Sequence, residues 1–86
     1  MAGVEEIRAG IAVANEKSLA GIAAITQASL QLDEARSALL AATHGSTQND
    51  VAQAQGLLTE ALQTLAGAQT AIQASISSAE GYAARL

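Results

Sequence analysis

The chain has no cysteine, proline, tryptophan or phenylalanine. Without cysteine there is no disulfide, no thiolate nucleophile and no zinc–thiolate centre. Without proline, nothing breaks a long helix from within. The single aromatic residue, Tyr82, leaves any interior to aliphatic side chains. Charge is sparse and mostly negative: 4 Lys and Arg against 8 Asp and Glu, a net charge of −4. That balance sets the chain against the phosphate backbone of nucleic acid and against anionic lipid. The longest uncharged stretch, 61–79, carries Gln63, Thr64, Gln69, Thr70, Gln73, Ser75, Ser77 and Ser78. It is too polar for the run of about 20 apolar residues that a membrane span needs. The opening residues, Met1 to Glu6, are acidic where a signal peptide is basic, so no signal peptide is predicted. Eighty-six residues allow one domain, 1–86.

What the chain does have is alanine, a strong helix former and a weak core filler, set in a seven-residue repeat. Val51, Leu58, Leu65, Ile72, Ala79 and Leu86 occupy one heptad position, a. Ala54, Ala61, Ala68, Ser75 and Tyr82 occupy the other, d. The first half repeats the scheme, with Val4, Ile11, Ser18, Ile25, Leu32 and Leu39 at a, and Ile7, Ala14, Gly21, Ala28, Ala35 and Ala42 at d. Mostly large residues at a and small ones at d predict a close coiled-coil seam. The fold class is therefore all-α: an antiparallel two-helix hairpin, an alanine-rich coiled coil. Helix 1 is expected over about 3–43, the turn over about 44–47 and helix 2 over about 48–84. Glu5 and Glu6 suit the positive end of helix 1, Gly45 the left-handed position after it, and Arg85 the negative end of helix 2. Thr47 and Asp50 have the spacing of a capping box with Asp in place of Glu.

A short turn makes the helices antiparallel neighbours. With the turn centred between Ser46 and Thr47, residue i faces residue 93 − i. Large then meets small in consecutive layers, among them Leu32 with Ala61, Leu65 with Ala28 and Ile72 with Gly21. Ser18 meets Ser75, either as a register-setting polar layer or as two tolerated small residues. Tyr82 with Ile11 and Leu86 with Ile7 close the open end.

This seam is thin for a chain of such length, and a lone hairpin is marginal. Other apolar residues lie outside it. Ile22, Leu62 and Ile76 fall at e positions, on one shared flank, with Leu19 beside them. Leu30, Leu40 and Leu57 are further surplus. Helix 1 has no charge between Lys17 and Asp33, helix 2 none between Glu60 and Glu80, and these gaps coincide in the hairpin. An uncharged belt with surplus apolar residues predicts a helix-binding surface, with Leu19, Ile22, Leu62 and Ile76 as partner interface and a four-helix bundle as product. The expected partner is a second copy, making a homo-oligomer (dimer), or a similar helical hairpin.

No chemistry competes with that reading. His44, Ser46 and Asp50 place a hydrolase-like trio in one turn, but a nucleophile needs a base held by a third group and an oxyanion hole in an enclosed pocket. Turn and cap roles account for all three, and the chain is expected to be no enzyme, with no small-molecule substrate. His44 is the one histidine, and no acidic residue stands at a or d, so no metal or cofactor site is expected. Glu5 with Arg8 and Asp33 with Arg36 read as i,i+3 pairs. Gly10 and Gly21 are eleven residues apart, as are Gly45, Gly56 and Gly67. Eleven residues make three turns, so each set lies on one stripe. Two readings stand: close approach of a partner helix, or drift in an alanine-rich sequence.

An acidic, cysteine-free chain of two long helices about the turn His44-Gly45-Ser46 resembles the Trp-X-Gly helical-hairpin proteins of type VII secretion. It is also similar to the helical N-terminal modules of actinobacterial toxins carried by such systems. The glycine of the turn is present and the tryptophan is not. The family's export signal is a tyrosine, three residues, then an acid. Tyr82 matches the tyrosine, and Leu86 stands where the acid belongs. The resemblance implies a dimeric four-helix bundle acting as exported cargo, delivery partner or targeting module, released without a signal peptide. The alternative is a cytoplasmic structural or adaptor coiled coil.

Overall fold

A proline-free, alanine-rich chain with one glycine-containing break folds as those features dictate. The computed structural model describes residues 3–86. It consists of α1 (Val4–Ala42) and α2 (Asn49–Ala84), 39 and 36 residues long. They form an antiparallel hairpin with principal extents of 64 × 18 × 15 Å. Each helix is thus about 55–60 Å long at about 1.5 Å per residue.

The turn reverses the chain in six residues, 43–48. Thr43 closes α1, its N–H donating to the Leu39 carbonyl at 3.0 Å and its hydroxyl to the same oxygen at 2.6 Å. The Ser46 N–H then donates to the Thr43 carbonyl at 2.9 Å, closing a four-residue turn. Gly45, third in that turn, has φ +80°, and among the described residues no other has positive φ. That is the type II pattern, which requires a residue able to adopt φ > 0 at this place. The start of α2 differs from expectation. The N-cap is Gln48, not Thr47, and it makes no side-chain cap hydrogen bond. The Thr47–Asp50 capping box does not form. Instead the Ser46 hydroxyl accepts from the Gln48 N–H at 3.3 Å, and the Val51 N–H donates to the Gln48 carbonyl at 3.1 Å. Asp50 keeps a role in the first turn, where the helix dipole favours its charge.

Leu32 and Ala61, an expected pair, line one groove. At the open end the expected pair of Ile11 with Tyr82 is replaced: Ile11 shares a groove with Ala83, and Tyr82 is exposed. The composition of the seam is corrected. The a positions Ile11, Ser18, Ile25, Leu32 and Leu39 on α1, and Val51, Leu58, Leu65, Ile72 and Ala79 on α2, are half-buried as expected. At d, Ala14, Ala35, Ala42 and Ser75 are exposed, and so is Tyr82 at 46%. The other d residues, Ile7, Gly21, Ala28, Ala54, Ala61 and Ala68, are half-buried as expected. The e residues Asn15, Ile22, Ser29 and Arg36 on α1, and Gln55, Leu62, Gln69 and Ile76 on α2, are half-buried too. The half-buried positions keep the seven-residue period along α1, at 11, 15, 18, 22, 25, 29, 32, 36 and 39, so the seam is rotated about the helix axis toward e with a still inward. Rotation in that direction covers Ile22, Leu62 and Ile76, larger apolar side chains than the alanines at d. Gly21 is half-buried, yet a Cβ built there meets nothing within 4 Å. The expected tight approach of Ile72 to Gly21 is absent.

Candidate functional site

Among the described residues, not one side chain is buried. The hairpin has a seam but no core, and its surface carries what a core would otherwise hold. Leu19 is 57% exposed, Leu30 56%, Leu40 63% and Leu57 58%. The first three share one flank with the e residues. Leu57 lies on the opposite flank, in a groove with Leu32, Ala61 and Thr64.

The first flank is grooved along its length. Near the open end, Arg8, Ile11 and Asn15 meet Glu80 and Ala83 around an open groove of about 520 Å³. Midway, Thr26, Leu30 and Asp33 meet Leu62 and Gln69. Beside the turn, Arg36 and Leu40 meet Gln55 and Thr59. Apart from Ile11 at a, these side chains belong to e positions and to the neighbouring b and f positions, so the three grooves lie on one flank. Each carries at least one charged residue: Arg8 and Glu80 at the open end, Asp33 midway and Arg36 beside the turn.

Ile22, Leu62 and Ile76, expected as interface residues outside the seam, are half-buried to the same degree as the a residues. Only the opposite helix can cover them, so they serve the hairpin's own seam as well as its rim. Leu19 is the member of that set that stands clear of α2. The structure brings Leu62 to the same groove as Leu30. Sequence reasoning left Leu30 and Leu40 unplaced. Their signal was present: Leu19 and Leu30 are eleven residues, or three turns, apart on one stripe.

Polar groups on this flank are largely satisfied locally. The Thr26 hydroxyl donates to the Ile22 carbonyl at 3.1 Å and that of Thr59 to the Gln55 carbonyl at 3.0 Å. The Gln55 side-chain amide donates across the seam to the Arg36 carbonyl at 3.0 Å. Of the two expected i,i+3 ion pairs, Arg8 Nη1 to Glu5 Oε1 forms at 3.4 Å between exposed side chains. Among the described residues, Asp33 and Arg36 form no such pair.

His44, Ser46 and Asp50 are exposed on the turn, with no enclosed pocket around them. Among the described residues, no group of three His, Cys, Asp or Glu side chains could hold a metal ion. No helix among the described residues is long and apolar enough to cross a membrane. Tyr82 stands on the last turn of α2. The interior glycines Gly10, Gly56 and Gly67 face open space: a Cβ at any of them meets nothing within 4 Å. Comparison with known protein families, curated proteins and solved structures finds no match to this chain.

Proposed function

We propose that this chain is a helical protein–protein interaction module, a hairpin that completes its apolar interior by docking against another hairpin to form a four-helix bundle. The observation that carries the reading is the missing core: no described side chain is buried, while Leu19, Leu30 and Leu40 stand more than half exposed on one grooved flank. Small scaffolds without disulfides or metals commonly gain stability by association. The interface assigned is Leu19, Ile22, Leu62 and Ile76, extended by Leu30 and Leu40. No catalytic role is included, since the turn residues His44, Ser46 and Asp50 serve chain reversal.

Within this reading, the role that best fits the layout is exported cargo or delivery partner of a type VII-like secretion system. Supporting it are the two long antiparallel helices, the glycine at the turn and Tyr82 near the end of α2. A cytoplasmic structural or adaptor coiled coil is the second reading, favoured by Leu86 where the export signal has an acid. Two measurements test these statements. Thermal unfolding followed by circular dichroism at increasing concentration, alone or with a candidate hairpin, should show a rising midpoint. A monomer that melts cooperatively at high temperature, independent of concentration, overturns the interaction reading. Expression beside a type VII apparatus separates the roles: export lost in Tyr82→Ala supports delivery, and retention of the wild type supports the adaptor.

A further inference from the structure

The exposed flank of α1 carries a pattern that is complementary to its own reverse. Its e residues Arg8, Asn15, Ile22, Ser29 and Arg36 alternate with the b residues Glu5, Ala12, Leu19, Thr26 and Asp33, in the 3-4 spacing of a coiled-coil stripe. From about 3.6 residues per turn, the middle of this stripe lies about 70° around α1 from the a positions, and its e residues also rim the seam with α2. The b residues are exposed, and all the e residues but Arg8 are half-covered by α2 from one side only. Reflect the stripe about the point between Ala20 and Gly21, and each residue i meets residue 41 − i. Leu19 meets Ile22, large apolar on large apolar. Asn15 meets Thr26, both able to hydrogen-bond. Ala12 meets Ser29, small on small. Arg8 meets Asp33, and Glu5 meets Arg36, opposite charges in both cases.

We infer that the occupant of this flank is a second copy of the same chain, docked antiparallel through α1 about a two-fold axis passing between Ala20 and Gly21. The proposal rests on the interaction reading and names its partner. Charge decides the orientation. A parallel, in-register dimer sets Glu5, Arg8, Asp33 and Arg36 each against its own like charge, whereas the antiparallel one pairs every one of them with its opposite. At each end the existing Arg8–Glu5 contact of 3.4 Å gains the partner's Asp33 and the partner's Arg36, a four-charge cluster of alternating sign. The Thr26 hydroxyl, already donating to the Ile22 carbonyl at 3.1 Å, keeps a lone pair to accept the amide of the partner's Asn15. From Glu5 to Arg36 the stripe runs about 47 Å along α1 at about 1.5 Å per residue, with a charge pair at each end and Leu19 and Ile22 at its centre.

The test is a charge exchange read by sedimentation equilibrium. In Arg8→Glu, two Glu–Asp repulsions replace the Arg8–Asp33 pairs of the dimer. In Asp33→Arg, two Arg–Arg repulsions do. Each variant alone should self-associate roughly tenfold or more weakly than wild type. Mixed in equal amounts, they should recover wild-type association as a heterodimer, because both cross-pairs are then opposite in sign. Lys17→Glu, with the same change in net charge but on the other flank, should associate like wild type. Added salt should weaken the wild-type dimer. Variants that dimerise like wild type, or a mixture without recovery, overturn the proposal. So does a wild-type chain that is monomeric at sub-millimolar concentration. Such a monomer, if it melts at low temperature, leaves the hairpin-docking reading standing with a different partner. If it melts cooperatively at high temperature, both readings fall.

Discussion

The side-chain amide of Gln55 donates to the backbone carbonyl of Arg36 at 3.0 Å, linking α2 to α1 across a separation of 19 residues. Among the described residues it is the hydrogen bond that joins the two helices. The Arg36 carbonyl lies inside α1, so its second lone pair is already engaged along the helix. Gln55→Ala therefore removes a cross-helix bond without orphaning a backbone group. It should cost about 1 kcal/mol in urea unfolding. A midpoint unchanged from wild type would show that water replaces the bond at no loss.

Gly10, Gly56 and Gly67 sit in helix interiors with open space at the Cβ position. Alanine at each should raise hairpin stability by about 0.5–1 kcal/mol, because it restricts the unfolded chain and clashes with nothing. Gly21→Ala should do the same despite its half-burial. Paired measurements of stability and assembly separate the two readings of these glycines. Gains in both identify them as drift. Greater helical stability with weaker assembly identifies a surface where another helix comes close.

Gly45 is the opposite case. Its φ of +80° is strained for any residue with a Cβ. Gly45→Ala should destabilise by about 1–2 kcal/mol, although nothing lies near the added methyl. An equal thermal midpoint would mean that the turn has an alternative path. Ser46→Ala, which removes the acceptor for the Gln48 N–H, should cost about 1 kcal/mol or less.

Ile22→Glu and Ile76→Glu place a carboxylate at half-buried positions of the seam and its rim. Both should lower helicity and assembly together, since a carboxylate withdrawn from water without a partner is strongly disfavoured. Leu19→Glu tests the flank alone: Leu19 is 57% exposed in the hairpin, so monomer helicity should persist while assembly weakens. Lys17→Glu should change stability by no more than about 0.5 kcal/mol. Circular dichroism with light scattering reads all four, and an assembly indifferent to Leu19→Glu would move the interface elsewhere.

Much of the fold is visible in residue order because its determinants are local. Alanine propensity, absent proline and a lone glycine between capping residues mark two helices and the turn to within a residue or two. Gly45 takes the left-handed backbone expected of it. What escapes is geometric. A heptad label fixes the period of the seam but not its rotation about the helix axis. Ala35 and Ala42 at d offer little to bury, and the seam turns toward e, where Arg36 and Thr43 are half-buried instead. Cap chemistry escapes for another reason: Ser46, Thr47, Asn49 and Asp50 all offer oxygens, and the turn type chooses among them. The interface set shows both effects. Leu19 is exposed by simple placement on the wheel, whereas Ile22, Leu62 and Ile76 depend on where the seam has rotated.

A fold without an interior has no privileged centre of resistance. In most domains the amide hydrogens deepest in the core exchange last and set the lifetime of the whole. Here every residue of α1 and α2 lies at or near solvent, so opening can begin anywhere along the 64 Å rod, and both helices share the risk. If the hairpin docks as proposed, survival against proteases follows the fraction of molecules that are docked, since cleavage draws on the open population. Under that proposal the amount of chain that persists is coupled to the amount of its partner, and unpaired copies are the ones open to cleavage.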